Sequence, residues 1–464
     1  MPKKIVLNQK KQVGGIIRYT SLKLFFLTFI SCYFIVFPVK AKNYNNVSII
    51  RDAEIEFFLE QIINNFTTSE QTKNLSIKPI IVFNESINAF VTGNNKIYIH
   101  SGLLENLDSF EELEGIIAHE LGHLVLGHVE SRKIMHDFNS KITNAGIFAL
   151  IGLSLSGMNN NIEGAIIAGN DFYYKNQFRY NRTQELEADI FSIKALNRLK
   201  KSSLGLNDFF KKIKRRNQLF LNKNNYYNSH PNPENRLDII NSLSRVKKTN
   251  LTKVISYKNI EIDLQKLKIK LLAYTKNKNQ LNLIKKNLKK NDPFFSAINF
   301  YCKNDLEKSI KYTKVYQQQN TRNPFAYEML GSLNFLNGNY IEAVKNFTES
   351  LKKNDELKIV PSPILKFSIA NALIKIDNKD SLKKALTILE QLIPIKNKSI
   401  RLWRLIGVTS HKLKMKSISM VAQAEEKILK KQYKKAKTIA SKALQDNNIK
   451  SLYKIRALDI INLN

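Results

Sequence analysis

The sequence predicts a mainly helical α+β chain: an N-terminal domain of helices around one small antiparallel sheet, then an α-solenoid. Three observations carry this. Apolar residues recur at helical spacing through most of the chain. A glycine-asparagine turn divides two short alternating strands at 87–100. After about residue 250 the pattern becomes almost purely helical and acquires a period of 34 residues. With 464 residues the chain exceeds one typical core, so two or three domains are expected.

The N-terminus reads as a leader. Lys3, Lys4, Lys10, Lys11, Arg18 and Lys23 precede the apolar run LFFLTFISCYFIVFPV at 24–39. That run has 16 residues, short of the ~20 a bilayer span needs. Val39-Lys40-Ala41 then offers small residues where a signal peptidase reads, so a cleaved leader and a mature chain from near Lys42 are expected. An uncleaved anchor is the alternative. Loss of the leader removes Cys32 and leaves Cys302 alone, so no intrachain disulfide is available. The formal net charge of +35 comes mostly from lysines spread along the whole chain. No arginine-rich stripe with interleaved aromatics stands out, so nucleic-acid binding is not expected. Peripheral contact with an anionic membrane surface is compatible with this charge.

The elements follow in order. Residues 48–66 carry apolar side chains at helical spacing, KPIIVF (78–83) reads as a strand, and INAFVTGNNKIYIH (87–100) reads as a hairpin. Ser109 and Glu112 match a capping box, and Glu111, Glu112 and Glu114 suit the positive end of the helix that follows. AGIFALIGLSLSGM (145–158) is a buried helix, a mobile cover or a membrane-touching segment. Another helix is expected from about Thr183 to Leu199. Beyond 290, Ala297 aligns with Gly331 at a spacing of 34, the length of a tetratricopeptide repeat. Tyr327, Leu330 and Gly331, then Ala343 and Phe347, occupy the positions where such paired helices meet. Trp403 and Gly407 restart the pattern, and Ala436, Ala440 and Ala443 close it. Such pairs bury their apolar faces only by stacking, which gives a solenoid with a concave binding face.

The stretch EELEGIIAHELGHLVLGH contains two histidines four apart. On a helix His119 and His123 share a face and present two imidazoles to one point, with Glu120 beside them. Two nitrogens can hold a metal ion while the carboxylate takes a proton from water there; this is the logic of a zinc peptidase. His128 lies five residues past His123 and rotates away on the same helix, so a third ligand must come from elsewhere. RTQELEADIFSIKAL (182–196) offers Glu185 and Asp189, four apart on one face. Like charges at that spacing repel unless a cation or histidine sits near. Glu185 is therefore assigned as third ligand, and Asp189 as the acceptor that orients His119 or His123 through its other ring nitrogen.

HELGH followed by ELEAD resembles the zinc metallopeptidases that include HtpX and the CAAX prenyl proteases. Their pattern is H-E-x-x-H followed by E-x-x-x-D. NAFVTGNNKIYIHSGLL (88–104) is similar to that family's hairpin before the active helix, and SHPNPENR (229–236) to a segment of its periplasmic members. The resemblance implies a zincin-like fold and zinc as cofactor. It implies that His230 can reach the metal as a fourth ligand and shut the site, and that Arg236 supports it. It also implies an outer strand for extended substrate, here placed at Ile97, Tyr98 and Ile99. A leader, this domain and C-terminal repeats together resemble periplasmic members that carry such repeats. The implied activity is cleavage of unfolded or misassembled envelope proteins, with the outer-membrane β-barrel assembly machinery as partner. The competing function is a chaperone-like assembly factor with a locked metal site. The expected organisation is a leader at 1–41, a peptidase domain at 42–250, a helical connector at 251–289 and a repeat domain at 290–464.

Overall fold

A computed structural model describes residues 48–68, 75–92, 95–129, 181–219, 226–230, 235–246, 252–258, 260–275 and 292–463. Residues 1–47, where a leader and its cleavage point are expected, the 145–158 segment and residues 276–289 lie outside these residues. Among the described residues no helix is long and apolar enough to cross a membrane.

Strand β1 (Ile49–Ile50) leads into helix α1 (Ala53–Phe66), which starts later than its apolar spacing suggests because Asp52 caps it, accepting from the amides of Glu54 and Ile55. Strands β2 (Lys78–Val82), β3 (Ala89–Thr92) and β4 (Lys96–His100) complete a four-stranded sheet of order β1-β2-β4-β3. The sheet is mixed, not purely antiparallel, since β2 and β4 run parallel. The chain between them crosses to the far side before the hairpin begins. That crossing is fixed where Ser101 Oγ accepts from the Asn84 amide at 3.1 Å and the Gly102 amide donates to the Asn84 carbonyl at 2.8 Å. The consequence corrects the placing of the substrate strand. Ile97, Tyr98 and Ile99 sit on an interior strand paired with β2 on one side and β3 on the other, so their backbone groups cannot receive another chain. Ile97 and Ile99 turn into the core with Ile81 and Val91, against Phe58, Leu59 and Ile62 of α1. Each such side chain contributes about 1.5–3 kcal/mol by leaving water.

Short helix α2 (Ser101–Glu105) precedes α3 (Phe110–Val125), the helix bearing HELGH. Ser109 accepts from the Glu112 amide, as expected, but the Glu112 carboxylate takes the Asp108 amide at 3.0 Å instead of completing the reciprocal box. It is drawn there by Lys212, whose ammonium also holds Asp108 and the Asn106 carbonyl. Lys212 lies on α5 (Leu204–Leu219), so this cation ties α5 to the start of α3. Helix α4 (Arg182–Arg198) carries a full capping box between Asn181 and Gln184 and packs across α3. A Cβ on Gly122 would lie 3.0 Å from Ala188 Cα, so the glycine inside HELGH sets how closely these two helices approach. Short helix α6 (Tyr226–Ser229) and α7 (Arg236–Leu243) follow.

The connector expected to be helical contains a hairpin. Strands β5 (Val254–Tyr257) and β6 (Ile260–Asp263) pair antiparallel before α8 (Leu264–Thr275). Ile260, Ile262, Leu267 and Leu271 join the same core as α1 and α3, so alternation in IEID serves a buried face.

The rest is helical: α9 (Pro293–Cys302), α10 (Leu306–Gln319), α11 (Pro324–Leu336), α12 (Tyr340–Glu356), α13 (Pro363–Ile376), α14 (Lys379–Glu390), short α15 (Ile393–Lys396), α16 (Ile400–Lys412), α17 (Lys416–Leu429), α18 (Tyr433–Ala443) and α19 (Ser451–Ile461). Successive helices pack on one another, and a second core runs from Ala343 and Phe347 through Trp403 to Ala436, Ala440 and Ala443. Gly331 of α11 faces the Phe347 ring of α12. The first of these helices dock on the N-terminal domain. Phe325 of α11 packs on Phe57, with ring centroids 5.5 Å apart and planes tilted by 41°. On the same side Lys270 of α8 bridges Asp52 at 3.0 Å and Glu54 at 2.6 Å, and the Tyr274 hydroxyl donates to Asp52.

Candidate metal centre

Helix α3 places His119 and His123 one turn apart, both fully buried, with their Nε2 atoms 3.1 Å from each other. Helix α4 crosses at Gly122 and brings Glu185 up to both. Its Oε2 is 3.4 Å from His119 Nε2 and its Oε1 is 3.3 Å from His123 Nε2. His230, just after α6, completes the group, with Nδ1 3.0 Å from Glu185 Oε1. One donor atom from each of His119, His123, Glu185 and His230 lies within 4.8 Å of all the others, and all four residues are buried.

The surroundings orient these donors. Asp189 Oδ1 is 2.9 Å from His119 Nδ1, which orients the ring so that Nε2 faces inward. Arg236 at the start of α7 clamps Asp189, with Nη2 donating to Oδ1 at 2.8 Å and Nε 2.7 Å from Oδ2. It also donates to Glu185 Oε2 at 3.3 Å, and its guanidinium lies 3.6 Å from the Phe210 ring centroid. Two buried carboxylates thus stand side by side, balanced by one fixed cation and by imidazoles. Burial works against a charged His119, but its hydrogen bonds to Asp189 and Glu185 outweigh that and raise it to about 9. Burial pushes His123 well below its usual range. Burial would raise Glu185, yet His230, His119 and His123 hold it well below the ordinary carboxylate range.

These separations suit a divalent ion. Ligand atoms about 2.0–2.1 Å from one tetrahedral zinc stand about 3.3–3.4 Å apart. The imidazole Nε2 atoms are 3.1 Å apart, and each faces a different oxygen of Glu185, at 3.4 Å from His119 and 3.3 Å from His123. A two-nitrogen, one-carboxylate donor set matches zinc chemistry, and the electronegative pull on His119 is one that a cation would share.

Glu120 is buried next to His119 and points to the same space, with Oε1 3.5 Å from His230 Nε2. His230 Nε2 also donates to the Ala89 carbonyl of β3 at 3.1 Å, so it bridges the centre and the outer strand. The ring is stacked on Tyr226, with centroids 4.6 Å apart and planes inclined by 19°. Tyr226 escaped the sequence reading, although its position four residues before His230 puts it one helical turn away. Pro231 and Pro233, expected to restrict this loop, lie outside the described residues.

His128 corrects a different expectation. Gly127 adopts φ +70° and ends α3, so His128 does not continue the helix. The chain turns back, and His128 Nδ1 comes 3.0 Å from His123 Nδ1.

A helix carrying H-E-x-x-H, a carboxylate delivered by a second crossing helix and a small sheet alongside define a metallopeptidase-type centre. Residues 51–244 match the model of peptidase family M48, whose peptidases are zinc-dependent. Among curated proteins the chain is similar to metalloprotease YcaL of Escherichia coli, 31% identical over 130 residues, 27% of this chain and 46% of that protein. It is 28% identical over 146 residues to metalloprotease LoiP of Escherichia coli, 30% of this chain and 54% of that protein. It is 22% identical over 202 residues to the beta-barrel assembly-enhancing protease of Yersinia pestis, 43% of this chain and 41% of that protein. The chain therefore spans about half or less of the length of these relatives.

Proposed function

We propose that the protein is a zinc-dependent endopeptidase of the cell envelope that cleaves misfolded or stalled envelope proteins in outer-membrane protein quality control. One observation carries the reading: buried donor atoms of His119, His123 and Glu185 converge from two crossing helices, with Glu120 beside them. In this reading those three hold zinc. Bound zinc supplies the Lewis acidity that polarises a carbonyl and acidifies water. Glu120 takes the proton from the attacking water and delivers it to the leaving amine nitrogen. Asp189 keeps His119 in the required tautomer, and Arg236 keeps Asp189 and Glu185 in place. Burial of these side chains strengthens each of these electrostatic effects.

His230 favours a restrained form of this activity. Standing against both Glu185 and Ala89, it holds the fourth corner of the site and covers the adjoining strand. The resting enzyme is closed in this account and opens when the short α6 segment moves. A leader at 1–41, a peptidase domain at 42–250, a connector at 251–289 and tetratricopeptide repeats at 290–464 form the working arrangement. The leader directs the chain to the periplasm, and the repeats dock substrates or β-barrel assembly machinery. The name of the Yersinia pestis relative supports this setting. The competing account is an assembly factor whose centre stays shut.

The test uses the purified zinc-loaded chain and an unfolded outer-membrane β-barrel protein. Cleavage is expected, with faster cleavage by His230→Ala, loss on adding a zinc chelator and recovery on returning zinc. If neither the wild type nor His230→Ala cuts that substrate, the assembly-factor account stands instead.

A further inference from the structure

The Nδ1 atoms of His123 and His128 face each other at 3.0 Å, and His128 Nε2 lies 3.0 Å from Glu187 Oε2 on α4. Only one pattern of protons satisfies both contacts while leaving His123 Nε2 able to bind a metal. His123 Nδ1–H donates to the His128 Nδ1 lone pair, and His128 Nε2–H donates to the Glu187 carboxylate. We propose that His128 and Glu187 form a positioning relay that fixes the tautomer and ring orientation of His123 and so tightens zinc binding. This rests on the zinc reading of the preceding section.

The relay runs from solvent to the centre. The Glu187 side chain is 53% exposed, that of His128 is 6% exposed, and His123 is fully buried. It parallels, on the other imidazole, the Arg236–Asp189–His119 arrangement. The two differ in kind. His119 leans on a buried carboxylate that is itself clamped, whereas His123 leans on a neutral ring whose far nitrogen reaches an exposed carboxylate. A carboxylate or ring behind a metal-bound imidazole raises its basicity and removes rotational freedom, and loss of such a group costs about 10–100-fold in metal affinity. The fold makes the contact through Gly127. Its φ of +70° stops α3 and turns His128 back beneath His123, while α4 carries Glu187 between the positions of Glu185 and Asp189.

Zinc affinity, measured by competition with a chromogenic chelator, tests the relay without reference to activity. His128→Leu is expected to weaken zinc binding by about 10–100-fold. His128→Asn keeps an acceptor near the Nδ1 position and should regain much of that loss. Glu187→Ala, at the solvent edge, is expected to weaken binding by about threefold to tenfold. With cobalt in place of zinc, the visible spectrum of His128→Leu should differ from that of the wild type, while His128→Asn should resemble the wild type. If His128→Asn loses as much affinity as His128→Leu, the ring acts only by packing and the relay is wrong. If His128→Leu does not fold, the Glu187→Ala measurement decides, and unchanged affinity there overturns the relay. A wild type that binds zinc no better than His128→Leu overturns the relay alone. A wild type that takes up no zinc overturns the site assignment as well.

Discussion

Replacing Glu120 with glutamine is expected to slow peptide hydrolysis by about 10²–10⁴-fold, the range associated with a general acid–base group, and to leave zinc content unchanged. The two halves of this outcome come from geometry. Glu120 is adjacent to His119 on α3 but does not belong to the group of converging donors His119, His123, Glu185 and His230. Glutamine has nearly the same shape, so the buried neighbours, including His230 at 3.5 Å, need not move. What it cannot do is accept a proton from water at neutral pH. Steady-state cleavage of an unfolded protein, paired with metal analysis of the same sample, reads both quantities. Wild-type rates in the variant would remove Glu120 from the chemistry. Loss of zinc would make it a structural support.

Replacing Glu185 with alanine is expected to weaken zinc binding by more than about 100-fold, beyond what loss of an orienting group alone does, and to lower stability. Glu185 reaches both paired imidazoles, His230 and Arg236. It lies within 3.4 Å of His119 Nε2, 3.3 Å of His123 Nε2, 3.0 Å of His230 Nδ1 and 3.3 Å of Arg236 Nη2. Its removal takes away a metal ligand and half the negative charge that balances a fully buried guanidinium. Breaking a buried charge pair costs about 3–5 kcal/mol. Asp189 continues to hold Arg236, so the protein should still fold, with a lower urea midpoint. Dialysis against a weak chelator followed by metal analysis, with urea unfolding alongside, measures both effects. Full zinc occupancy in Glu185→Ala would mean that the third ligand lies elsewhere.

Much of the centre is legible from spacing because helices impose a strict geometry. His119 and His123 must share a face, as must Glu185 and Asp189, and two such faces with opposite chemistry explain each other. His230 and Arg236 carry no such signal. Only the resemblance points to them, since nothing local says that residues 230 and 236 return to residue 185. The misreadings share a physical cause. The family resemblance places the outer strand at β4, and the alternation in KIYIH reports which face is buried but says nothing about lateral neighbours. The parallel pairing of β2 with β4 depends on the route of residues 83–88. Helical spacing carries the helix through Gly127 to His128, but Gly127 takes a left-handed conformation and ends it. The capping box at Ser109 failed because Lys212, 100 residues away, attracts the Glu112 carboxylate. The hairpin at 254–263 was hidden in a lysine-rich stretch whose neighbours are helical.

X-ray diffraction from crystals of the zinc-loaded protein, recorded on either side of the zinc absorption edge, tests the metal assignment most directly. The expected result is one strong anomalous peak about 2.0–2.2 Å from His119 Nε2, His123 Nε2 and a Glu185 carboxylate oxygen. A peak at some other cluster, or none between these three side chains in a crystal shown to contain zinc, would contradict it.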